Sequence, residues 1–125
     1  MTRRERVRKY LNRETSEGIL VSCGALPNDG ISAFTYARLL RHLGLTHHPV
    51  RVFDLFQFLA EVHPEVLDIL GADFVQAHPM RYRFRISRKK WRDGTLPDGT
   101  PCLYPSEFNP IVDEDGNRTI LVDGV

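Results

Sequence analysis

The chain has 125 residues, enough for one domain or part of one. Its 17 basic and 16 acidic side chains leave a net charge of +1, so no global charge draws it to nucleic acid or to an anionic membrane. A hydrophobic content of 42% supports an ordinary buried core, and no apolar run approaches the roughly 20 residues of a membrane-spanning helix.

The first residues, MTRRERVRKYLNRE, are basic and lack the apolar stretch of a secretory signal. Cys23 and Cys102 lie far apart and form no CxxC motif, which fits free thiols in a reducing compartment. A cytoplasmic location is therefore expected.

Thr2 and Glu5 have the spacing of a capping box, and Val7, Tyr10 and Leu11 fall on one helical face. Residues 3–12 are thus predicted to be a short basic helix, whose narrow stripe must dock on something larger. Residues 15–18 are a polar break. The apolar run at 19–23 lacks polar alternation and reads as a strand buried on both faces. Pro27, Asn28, Asp29 and Gly30 form a loop. Ser32 suits a helix cap, Ala33, Tyr36, Ala37, Leu40 and Leu43 share a face, and Gly44 suits the helix end.

The apolar stretch 52–62 is long enough for about three helical turns. Pro64 opens a further helix carrying Val66, Leu67, Ile69 and Leu70, and Gly71 stops it. Residues 74–77 form a second short apolar run, predicted as a strand. A strand–helix–strand order with buried strands implies a parallel sheet and a right-handed crossover. From Arg81 the pattern changes: Tyr82, Phe84 and Ile86 alternate with arginines at period two. Turn signals at 96–100 and 113–117 then separate short extended pieces, the last at 111–112 and 119–122. These read as an antiparallel appendage.

Three stretches carry a family resemblance: the opening T-x-R-E-R-V (Thr2, Arg4, Glu5, Arg6, Val7), the LxxLGADFV run (Leu67, Leu70, Phe74, Val75) and WRDGTLPDGTP, which opens at Trp91 and closes at Pro101. Together they resemble the uroporphyrinogen decarboxylase superfamily, which includes corrinoid-linked methyltransferases built on the same (β/α)8 TIM barrel. The resemblance implies an α/β fold in which this chain is a truncated, N-terminal portion of the barrel. Residues 1–80 would supply the first helix and first βα units, and residues 81–125 a β-hairpin appendage. Such a barrel runs to about 250 residues, so further sequence downstream is expected.

Decarboxylases of this family carry an arginine-rich loop after the first strand and an aspartate after a later one. Here the first loop, 23–30, has no arginine, and the stretch Val75, Gln76, Ala77, His78, Pro79 has no aspartate. The resemblance therefore implies the methyltransferase branch over a true decarboxylase. In that branch a zinc-activated thiol exchanges a methyl group carried by a corrinoid partner protein, and the zinc ligands lie in the later part of the barrel. No catalytic residue is transferred to this chain, which is expected to be inactive alone.

The candidate substrate-binding residues are His78, Asn28 and Asp29. His78 follows the second expected strand, where polar residues gather at a barrel mouth, and Asn28 and Asp29 sit in the first top-face loop. Asn-Asp-Gly is also ordinary turn chemistry, which is the favoured account of Asn28 and Asp29. Cys23 could face the mouth as a metal ligand or nucleophile, or be a small buried hydrophobe. His47 and His48 read as a solvated loop, because adjacent residues point apart and no partner has ligand spacing; His42 and His63 carry no signal. The cluster Arg81, Arg83, Arg85, Arg88, Lys89, Lys90 and Arg92 could form a nucleic-acid face on an independent α+β module, hold an acidic ligand, or pair with the acidic residues near 113–115.

Overall fold

The computed structural model describes residues 1–14 and 18–121. Three helices form where caps and periodicity place them. Helix α1 (Arg3–Leu11) opens on a complete capping box: Thr2 accepts from the Glu5 amide, and Glu5 accepts from the Thr2 amide. Helix α2 (Ala33–His42) buries Ala33, Tyr36, Ala37 and Leu40, a stripe at helical spacing. It ends on Gly44, whose φ of +71° is the left-handed conformation a side chain would resist. Helix α3 (Pro64–Ile69) starts on proline, buries Val66 and Leu67, and ends before Gly71.

All laddered strand pairs among the described residues are antiparallel hairpins. Strands β1 (Val52–Asp54) and β2 (Leu59–Ala60) form one, β3 (Trp91–Thr95) and β4 (Pro101–Pro105) a second, and β5 (Ile111–Val112) and β6 (Arg118–Thr119) a third. A single parallel bridge between Arg51 and Leu103 joins the first two, with the Leu103 amide 2.7 Å from the Val50 carbonyl. The core lies between this arrangement and α2. Tyr36, Leu40, Val52, Ala60, Val66, Leu96, Tyr104 and Phe108 are among its buried members, so it draws on residues from both sides of position 80. The architecture is mixed α and β with small antiparallel sheets and no closed barrel.

Four expectations are corrected. The stretch 52–62 is a hairpin, not a helix. The Asp54 carboxylate accepts the amides of Phe56 and Gln57 at 2.9 Å each, and Phe58 turns back at φ +54°. An aspartate that satisfies turn amides competes with the helix, and residues 52–54 and 59–60 are then free to pair. Residues 19–23 and 74–77 form no ladder, so the parallel sheet is not built. The first is tied to the residue just before the second: the Asp73 amide donates to the Val21 carbonyl at 2.7 Å and the Val21 amide to the Asp73 carboxylate at 2.8 Å. Residues 81–86 make no strand either. Arg83–Arg85 is a 3-10 turn in which Phe84 and Arg85 both have positive φ, closed by the Tyr82 amide on the Ile86 carbonyl at 2.8 Å. The period-two pattern marks instead the two buried feet of that loop, Tyr82 and Ile86. The last strand is shorter than expected and ends at Thr119; Val122 and the chain end lie outside the described residues, as do residues 15–17 of the polar break.

Helix α1 is held by charge and not by its stripe, since Tyr10 and Leu11 are exposed. Arg3 pairs with Asp68 on the surface at 2.6 Å, a contact worth about 0–1 kcal/mol. Arg6 pairs with Asp73, whose carboxylate is fully shielded from solvent. The Arg6 guanidinium, and after it the Val21 amide, hold the Asp73 carboxyl below the ordinary aspartate range. The folded value is depressed, so this contribution is complete at neutral pH. It is lost as pH falls past the unfolded value of about 3.9 and through the lower folded one. Replacing Asp73 with Ala is expected to cost about 1–3 kcal/mol and to speed hydrogen exchange at the Val21 amide and in α1 while the α2 core stays protected. Exchange followed residue by residue by NMR checks this.

Candidate functional site

Between the first hairpin and the loop 73–90 lies a cavity of about 280 Å³, lined in part by Cys23, Arg51, Glu61, His63, Gln76, His78 and Arg88. Glu61 is its centre and the one charged residue in the buried core set. It follows β2 directly, and its amide donates to the Arg51 carbonyl at 2.8 Å, which fixes it beside the start of β1. Its Oε1 accepts from the Tyr82 hydroxyl at 2.6 Å and from Arg88 Nε at 3.1 Å. Arg88 Nε also reaches the Tyr82 oxygen at 2.9 Å, closing a triangle. Burial, and then the donated bond to Glu61, push the Tyr82 hydroxyl strongly up, so it stays a proton donor.

The other carboxylate oxygen, Oε2, has only Arg51 near it, at 3.9 Å. Arg51 is instead positioned by Trp91, whose ring centroid lies 5.5 Å from the guanidinium carbon. His78 stands edge-on to Phe53 and Tyr82, its Nε2 3.8 Å from Glu61 Oε1. Burial lowers its pKa, which favours neutral imidazole. His63, at the rim, donates its amide to the Tyr36 hydroxyl at 2.9 Å; that hydroxyl's own proton is then directed to His63 Nδ1, 2.6 Å away. Burial, with further cationic neighbours, lowers His63 to about 4, so it too is neutral.

Arg51 Nε, Gln76 Oε1 and His78 Nδ1 are buried and have no hydrogen-bond partner in the protein, and all three residues line this one cavity. Buried polar atoms are nearly always paired, with protein or with ordered water, so three atoms without a protein partner around one cavity single it out as the candidate polar site. Two guanidinium groups against one carboxylate make that place electropositive, which favours an acidic ligand.

Of the residues singled out from sequence, His78 lines the cavity and Cys23 borders it. Burial, followed by the Asp29 charge, raises the Cys23 pKa, so it is a thiol at neutral pH and not an activated nucleophile. Asp29 serves its own loop: its Oδ1 accepts the Leu26 amide at 2.8 Å, its Oδ2 accepts from Ser22, and its carbonyl accepts the Gly24 amide. Asn28 lies beside it in a 3-10 turn, Pro27–Asp29, and neither lines the cavity. The basic cluster is dispersed: Arg88 points to Glu61, Arg92 donates to the Phe108 carbonyl, and Arg81 donates to the Arg85 carbonyl. The continuous arginine strand expected for nucleic acid is therefore not formed.

Sequence reasoning missed Glu61 because 52–62 reads as helix, and missed Arg51 and Gln76 because nothing local marks either residue. An isolated Glu after Phe58, Leu59 and Ala60 was the available signal. His47 and His48 lie in a loop, as expected, with His47 exposed, but the two rings do not point apart. Their rings lie 4.2 Å apart, and both Nε2 atoms face Glu65. This is the one group of three metal-capable side chains among the described residues, and it contains no cysteine. The zinc site that the resemblance implies has a histidine and two cysteines as ligands, and this donor set does not fit it. No helix among the described residues is long and apolar enough to cross a membrane.

No protein-family model matches the chain, and neither a curated protein nor a solved structure shows significant similarity to it.

Replacing Glu61 with Ala strands Arg88 and Tyr82 without their shared acceptor. A loss of about 1–3 kcal/mol is expected, the partial exposure of Arg88 keeping it below the cost of a fully buried pair. Urea titration measures it; Glu61→Gln, which keeps an acceptor oxygen, is expected to lose less.

Proposed function

We propose that this chain contributes one wall of the mouth of a uroporphyrinogen-decarboxylase-like barrel enzyme of the corrinoid-linked methyltransferase branch, and that the Glu61 cavity binds an acidic part of its small-molecule substrate. The observation that carries this reading is the pairing of Val21 with Asp73. It ties the first of the two segments that resemble barrel strands to the residue just before the second, which supports reading them as neighbours. Their carboxyl ends, at Cys23 and His78, then open on the same cavity, as the mouth of a βα barrel requires. Exposed apolar side chains on those segments, Ile19 at 85% and Val75 at 75%, support a role for them as part of a larger sheet.

Within this reading the chain binds and orients, and does not itself transfer a methyl group. Arg51, held over Trp91 with its side chain partly exposed, gives the cavity a cation for a ligand carboxylate. Gln76 and His78 supply the remaining open polar atoms. The arginine-free loop 23–30 supports a substrate with fewer acidic groups than a porphyrinogen.

Two outcomes follow. The isolated 125-residue chain is expected to show no methyl transfer from methylcobalamin to a thiol, and turnover would overturn that assignment. The single tryptophan, Trp91, reports on the cavity through Arg51. Succinate is expected to change its fluorescence saturably, and Arg51→Ala to weaken that binding at least about tenfold. A wild-type protein that gives no saturable response overturns the acidic-ligand reading.

A further inference from the structure

The loop after α2 presents a second cluster, away from the Glu61 carboxylate. Once Gly44 has ended the helix, the chain closes a turn in which the His48 amide donates to the Leu45 carbonyl at 3.1 Å. That turn brings the rings of His47 and His48 to a centroid separation of 4.2 Å, tilted by 39°. Glu65 approaches from the first turn of α3, directly after Pro64. His48 Nε2 is 2.9 Å from Glu65 Oε2, and His47 Nε2 is 3.8 Å from the same oxygen. One ligand atom from each residue lies within 4.8 Å of the other two.

Donors bound at about 2.0–2.2 Å around a tetrahedral zinc ion sit roughly 3.3–3.5 Å apart. The observed separations bracket that spacing, so small side-chain rotations bring all three donors onto one ion. The cluster is poorly served without one. A single carboxylate oxygen faces two imidazoles, and only His48 reaches it at hydrogen-bond length. His48 is also held from behind, since its ring stacks on His63 at 4.2 Å and 22°, and His63 is bonded to Tyr36 of the core. Two of the three donors therefore sit on anchored elements, and exposed His47 closes the set.

We propose that His47, His48 and Glu65 form a binding site for a divalent transition-metal ion of the zinc class, which clips the loop after α2 to the start of α3. Two imidazole nitrogens and one carboxylate suit zinc, nickel or copper; calcium and magnesium require oxygen ligands throughout. Water completes the coordination. The site shares no ligand residue with the acidic-ligand cavity, although His63 touches both, and it is distinct from the zinc site implied by the family resemblance.

Zinc titrated into untagged protein, followed by isothermal calorimetry, is expected to bind one ion per chain and to raise the melting temperature, both reversed by EDTA. His47→Ala and Glu65→Gln change exposed side chains and leave the core intact. Each is expected to weaken binding at least about tenfold, since even supporting partners of metal ligands contribute that much. His42→Ala, outside the cluster, is expected to bind as the parent does. No uptake at millimolar zinc, or unchanged affinity in both ligand variants, overturns the proposal. So does an intense thiolate band on cobalt substitution, which would assign the ion to a cysteine.

Discussion

A carboxylate cannot be left alone in a protein interior, and the neighbourhood of Glu61 is arranged around that constraint. The loop 73–90 has little regular structure and few ladder bonds of its own. Besides the buried feet Tyr82 and Ile86, what holds it to the hairpin is the need of Glu61 for donors, which Tyr82 and Arg88 meet from one side while His78 stands by. The Tyr82–Arg88 bond then closes the loop on itself. Arg51, one residue before β1, is drawn to the same place but only loosely, and it is the loosely held cation that is available to a ligand. A single buried charge thus sets both the path of the loop and the polarity of the cavity beneath it.

The docking of α1 follows the same logic at a second carboxylate. Asp73 is shielded completely, and it satisfies Arg6 on one side and the Val21 amide on the other. One side chain therefore ties the helix, the extended segment 19–23 and the end of α3 to each other. The apolar stripe of α1 contributes little to this, because Tyr10 and Leu11 face solvent.

What was legible in the sequence was whatever depends on neighbours along the chain. The Thr2–Glu5 capping box, the helix ended by Gly44, the Pro64 start and the turn at 96–100 are local signals that the structure carries, whereas Ser32 stands at the start of α2 without making a capping bond. The stretch 52–62 was misleading because its apolar content suits a helix as well as a hairpin. The deciding residue is Asp54, whose competition for turn amides is easily outweighed by five large apolar neighbours when only periodicity is read. The strands expected at 19–23 and 74–77 depend on partners far away in sequence, and a local reading cannot supply those. The candidate site divides the same way. His78 was legible from its place after an apolar run. Glu61, Arg51 and Gln76 become a site only when the hairpin brings them together, and His47 and His48 become a cluster only when α3 delivers Glu65.

The single contact between residues 21 and 73 leaves most of both extended segments with backbone amides and carbonyls that no ladder uses. Ile19, Val21 and Val75 lie along them, exposed. An extended apolar segment with open hydrogen-bonding groups is a template for strand addition. In concentrated solution the same template can recruit another copy of itself.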